Sequence, residues 1–60
     1  MNLATLLNVM DFNENITIVK GNYTYKTLYN GIKYNVQNVN FDAEVIGLYT
    51  SDGKMVIEVC

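Results

Sequence analysis

Histidine, arginine, tryptophan and proline are all missing from this chain of 60 residues, and cysteine occurs once, at Cys60. Each absence closes a class of function. Without histidine there is no ordinary general base near neutral pH, and no serine or cysteine nucleophile paired with an imidazole. With no histidine and no second cysteine there is neither a zinc-type ligand set nor a disulfide within the chain, and a lone thiol fits a reducing compartment. The four glycines, Gly21, Gly31, Gly47 and Gly53, stand apart from one another, so no phosphate-cradling loop is present. Four lysines against six acidic residues give a net charge of −2. That balance lacks the broad basic footprint of a duplex-binding protein, and it is too weak to imitate a nucleic acid. No apolar run is long enough to span a membrane, and no basic segment leads the N-terminal apolar stretch, so the expected setting is the cytoplasm, with no membrane contact.

What is present reads as one small domain over residues 1–60. A chain of this size buries only about 60% of its unfolded surface and is marginal without help. Disulfides and metals being nearly closed off, oligomerisation is the remaining helper, and a homo-oligomer is expected. Asn2 can cap a short helix in which Leu3, Leu6, Leu7 and Met10 share one face, ending near Asp11 where Asn13, Glu14 and Asn15 form a polar turn cluster. The β-branched run Ile16 to Val19 reads as a strand, and Lys20-Gly21-Asn22 as a turn. From Tyr23 to Tyr29 the alternation is strict, with Tyr23, Tyr25, Thr27 and Tyr29 expected on one face. Asn30-Gly31 reads either as a two-residue turn or as a bulge in a bent strand. Residues 35–42 read as an irregular connection. Glu44 to Thr50 and Lys54 to Cys60 are apolar-rich runs joined by Ser51-Asp52-Gly53, where Asp-Gly supplies the positive φ of a hairpin turn. The expected fold is α+β: a short N-terminal helix packed on a roughly four-stranded antiparallel sheet.

Five tyrosines between Tyr23 and Tyr49 are too many for so small an interior, so part of the tyrosine row is expected to stay exposed as an interface. On one reading Tyr23, Tyr25 and Tyr29, with Lys20, Lys26 and Lys33, form a binding platform in which rings stack on bases and lysines meet phosphates. On the other they are cross-strand pairs and interface filler. Asp11 and Glu14, in the helix-to-strand corner, are carboxylates that could share a magnesium ion, or solvated acids that help to end the helix. Cys60 is given no role.

The order Leu3-x-x-Leu6-Leu7, Met10-Asp11, Ile16-Thr17-Ile18, Leu28-Tyr29-Asn30-Gly31, Glu44-Val45-Ile46 and Val56-Ile57-Glu58-Val59 resembles a family of very small prophage and mobile-element proteins of low-GC Gram-positive bacteria. Small clostridial proteins of similar build are anti-CRISPR proteins that protect DNA from Cas9, with a proposed action on supercoiled DNA. The resemblance implies a phage counter-defence protein whose partners are DNA or a host defence nuclease, with Asp11 as the candidate catalytic acid and magnesium as the cofactor of any DNA cleavage. The nine asparagines agree with an AT-rich source. The alternative is a non-catalytic oligomeric module that binds a host protein or sequesters a small ligand.

Overall fold

Asn2 is extended, and its side-chain oxygen accepts hydrogen bonds from the Thr5 amide and hydroxyl, both at 2.9 Å. This cap starts α1, Leu3–Asn8, which is shorter than the apolar spacing suggests. Beyond Asn8 the amides of Val9 and Met10 donate to carbonyls three residues back, at Leu6 and Leu7, so the helix tightens and stops before Asp11. The amides of Leu3 and Ala4 have no intrahelical acceptor, and donate instead to the carbonyls of Ala43 and Phe41 at 2.9 Å. The long connection is thereby hung on the start of the helix.

The computed structural model describes residues 1–21 and 25–60, with Tyr25 described by its backbone alone. Its strands are β1 (Asn15–Gly21), β2 (Tyr25–Ile32), β3 (Val45–Ser51) and β4 (Lys54–Val59), with one 3-10 turn at Lys33–Asn35. The α+β architecture with four strands is as the sequence indicates, but the sheet is mixed. Its order is β2-β1-β4-β3, and β1 runs parallel to β4 with Ile18 opposite Ile57. The reason is hydrophobic: β1 and β4 carry all the strand residues that are buried, and each takes a central place with its hairpin partner outside it. Leu3, Leu6 and Leu7 pack against Ile16, Ile18, Ile57 and Val59, while Met10, Leu28, Tyr29, Val36, Val39 and Val45 close the margin.

Two register shifts break the alternation, and in β3 the extra residue is Ile46, between Val45 opposite Val59 and Gly47 opposite Glu58. The other shift, between Ile18 and Val19, sets Tyr29 opposite Ile18 and Thr27 opposite Val19, so Leu28 is the extra residue and Tyr29 and Thr27 do not share a face. Asn30 and Gly31 lie inside β2 and form neither a turn nor the bulge. At Gly31 the Tyr29 ring folds back over the backbone; a Cβ would stand 2.8 Å from the Tyr29 hydroxyl, which donates to the Ile32 carbonyl at 2.6 Å, so a side chain there would push the ring aside. The second hairpin turns as expected, with φ of 53° at Asp52 and 76° at Gly53.

Candidate functional site

The polar turn after the helix carries one aromatic residue, Phe12, and the chain holds it outside the core. The Glu14 amide donates to the Asp11 carbonyl at 3.2 Å, closing a tight turn around Phe12 and Asn13. On the neighbouring segment, the Lys33 amide donates to the Glu14 carbonyl at 2.8 Å and the Tyr34 amide to the Phe12 carbonyl at 3.1 Å. These two bonds continue the β1–β2 pairing past Asn15 and Ile32, and they set Tyr34 beside Phe12. The rings meet edge to face, with centroids 5.7 Å apart and planes at 79°. The Lys33 ammonium sits 4.9 Å from the centre of the Phe12 ring, within cation–π range.

The corner is wet and apolar together. Val9 is 79% exposed, Phe12 65% and Tyr34 72%. Phe12 stands between two shallow hollows, one lined by Asp11, Asn13 and Glu14, the other by Asn8, Met10, Asp11 and Lys33. Two carboxylates and one ammonium therefore border the exposed rings. Asp11 and Glu14 do face a common hollow, and their hard oxygens suit magnesium, which is usually held through one or two carboxylates. Among the described residues no group of three or more acids or thiols is placed to hold a metal ion.

Of the expected stacking platform, the structure describes the Tyr29 side chain and the three lysines. Tyr23 lies outside the described residues, as does the side chain of Tyr25, whose backbone pairs with Gly21. Tyr29 is half-buried against the core on the helix side, and its hydroxyl is engaged. Among the described residues, Tyr49 stands on the face away from the helix, opposite Val56 and 47% exposed. Lys20 and Lys26 are brought together: both are exposed and directly opposite at the end of the β1–β2 hairpin. Lys33 sits beyond the other end of β2, roughly 20 Å of strand away at about 3.3 Å per residue. Beside Lys20 is a cavity of about 220 Å³ lined chiefly by Leu3, Leu28, Val39, Val59 and Asn38. That falls below the roughly 300 Å³ at which drug-sized ligand sites begin.

Phe12, Tyr34 and Val9 are the residues that sequence reasoning passed over. The signal was Phe12 itself, a large apolar side chain inside the otherwise polar run Asp11 to Asn15. No helix is long and apolar enough to cross a membrane among the described residues. Comparison with protein-family models, with curated proteins and with solved structures finds no match.

Proposed function

We propose that this chain is a phage or prophage counter-defence protein that acts as a homo-oligomeric binding module, and that it meets its target through Val9, Phe12, Lys33 and Tyr34. The observation that supports this reading is the pair of mutually braced rings held in solvent by two backbone hydrogen bonds. Exposed aromatics of this kind are the usual anchors of protein interfaces, where they fill pockets on the partner. The border chemistry favours a protein over a nucleic acid. Asp11 and Glu14 outnumber Lys33 around the rings and would repel phosphates, whereas they suit the basic surface of a nuclease that handles nucleic acid. The counter-defence setting is supported by the resemblance to small prophage proteins.

The test is a Cas9 cleavage assay with increasing amounts of the protein, beside direct binding of the nuclease measured by calorimetry. Protection of the DNA together with stoichiometric binding is expected. Protection without any binding to the nuclease would move the target to the DNA.

A second reading, direct DNA contact, is supported by the Lys20–Lys26 pair. Like charges directly opposite on a sheet destabilise it, and a bound phosphate would relieve them. If DNA binding occurs, each alanine at Lys20 or Lys26 should lower the salt slope by about one, whereas Lys33→Ala should leave it unchanged. Equal slopes for all three variants would dismiss the pair as the phosphate site.

Any cleavage chemistry would rest on Asp11 and Glu14 holding magnesium, which would supply charge neutralisation and an acidified water. Asp11→Ala should then abolish magnesium-dependent nicking of supercoiled plasmid while leaving the melting curve in place. Should the parent protein leave the plasmid intact in magnesium, or the variant nick at the parent rate, Asp11 returns to ending a helix and the binding reading stands alone.

A further inference from the structure

The two edges of the sheet are built differently. β2 carries Lys26 and a bulge at Leu28, both of which discourage another strand from pairing with it. β3 has a register shift of its own, with Ile46 the extra residue between Val45 and Gly47, but from Gly47 to Ser51 its pairing with β4 is regular, and the strand, Val45 to Ser51, includes no lysine, no proline and no charged side chain. Its first turn of edge is covered, because Asn2 bridges Glu44 and the Val45 amide donates to the Met1 carbonyl at 2.9 Å. From Ile46 to Ser51 no described residue pairs with its outer side. The side chains along this open stretch are apolar and exposed, at 51% for Ile46, 50% for Leu48 and 47% for Tyr49.

The exposure of Leu48 is informative. It lies directly opposite Ile57, which is fully buried, so it belongs to the same face of the sheet as the core. The core thins towards β3 because α1 has six residues, about 9 Å of helix at 1.5 Å per residue; the fully buried strand residues of the cluster belong to β1 and β4, and from β3 Val45 packs against them. Something beyond β3 is needed to complete that face.

We propose that β3 pairs antiparallel with β3 of a second copy about a two-fold axis at Leu48, joining two four-stranded sheets into one of eight strands. This rests on reading the chain as a homo-oligomer, and it names the contact. In that register, within the regular stretch from Gly47 to Ser51, Leu48 meets Leu48 of the partner subunit and Tyr49 meets the partner's Gly47. No charge meets a charge anywhere along the seam. Gly47 makes room for a neighbour within its own sheet. It sits on the face away from the helix, opposite Glu58, and a Cβ there would stand 2.9 Å from the Glu58 carboxylate and 3.3 Å from its Cβ. The Glu58 side chain already occupies that space, so on this face the partner's Tyr49 would lie against Gly47 and the stem of Glu58. Two-fold pairing also removes the one unguarded edge on each copy, which an open chain of heterologous contacts would not.

Sedimentation velocity over 1 μM to 1 mM should show a monomer–dimer equilibrium, with Leu48→Lys raising the dissociation constant at least about tenfold by setting two ammonium groups opposite each other. Circular dichroism of the variant should match the parent monomer, since the replaced side chain is half exposed. A second variant, Leu48→Cys in a Cys60→Ser background, should form an intermolecular disulfide under mild oxidation, because facing residues of paired strands have Cα atoms within disulfide reach. Tyr49→Cys in the same background should not. A parent that stays monomeric at 1 mM, a dimer untouched by Leu48→Lys, or faster cross-linking at position 49 than at 48 would overturn the proposal. None of these outcomes bears on Phe12 and Tyr34, whose role is read from target binding, so the two ideas fail separately.

Discussion

Ile57→Ala should leave most of the molecules unfolded at 25 °C. Ile57 is fully buried in the centre of the sheet, with Ile18 of β1 beside it in the parallel seam and Leu48 of β3 on its other side. Truncating such a residue costs about 2–5 kcal/mol through lost transfer energy and an unfilled cavity. A core of this size rarely supplies more than about 3–5 kcal/mol in total. The loss and the stability are therefore equal in scale, and circular dichroism at room temperature should report a largely disordered chain. Ile32→Ala is the comparison. Ile32 lies at the end of β2 and is 39% exposed, so its truncation should shift the melt by only a few degrees. A cooperative melt for Ile57→Ala within a few degrees of the parent would show that the seam is not where the stability resides. If association through β3 adds to stability, the parent melt should also rise with protein concentration, and the Ile57→Ala chain should partly refold at the highest concentrations.

The same seam marks the limit of what the sequence discloses. The helix, the β-branched first strand and the closing hairpin are written locally, in the spacing of Leu3, Leu6 and Leu7, in Ile16 to Val19, and in Asp52-Gly53. Successive strands that pair as hairpins follow from turn chemistry over a few residues. The parallel pairing of β1 with β4 does not, because it joins residues some forty positions apart and is selected by which strands are most apolar. Read carefully, the composition of those strands does hint at it. The bulge at Leu28 was hidden for a different reason: one extra residue reverses the parity of every side chain beyond it, and nothing in Thr27-Leu28-Tyr29 announces the insertion. The expected single face from Tyr23 to Tyr29 assumes unbroken parity, and the bulge separates Thr27 from Tyr29.

The aromatic corner was half legible. Phe12 in a polar turn is anomalous on sequence alone, but its partner Tyr34 stands 22 residues away, and the two are joined by backbone bonds that no side-chain pattern encodes. Lys33 was singled out for its charge, and the structure gives it a neighbour that the charge did not suggest. Asp11 was singled out for chemistry, and it is found bordering both hollows at the foot of the Phe12 ring.

Replacing both Phe12 and Tyr34 with alanine should weaken target binding by at least about a hundredfold while the protein stays folded. Buried aromatic anchors at interfaces cost about 2 kcal/mol or more each when truncated, and two that brace each other couple, so the double change need not equal the sum of the single ones. Phe12→Ala alone should carry most of the loss, since it removes a contact surface, the edge-to-face partner of Tyr34 and the perch of Lys33 in one step. Tyr34→Phe keeps the ring geometry and should bind nearly as well as the parent, separating ring packing from any hydroxyl contact. The fold should tolerate all of these, because both side chains are more than three-fifths exposed and lie outside the core. The acidic border should act on a different quantity. Asp11→Lys with Glu14→Lys should slow association with a basic partner, most visibly at low salt, and change the dissociation rate little. Calorimetry and stopped-flow binding against the nuclease measure both effects. If the double alanine variant binds as tightly as the parent and still melts as the parent does, the corner is not the contact surface, and the target must be met elsewhere on the molecule.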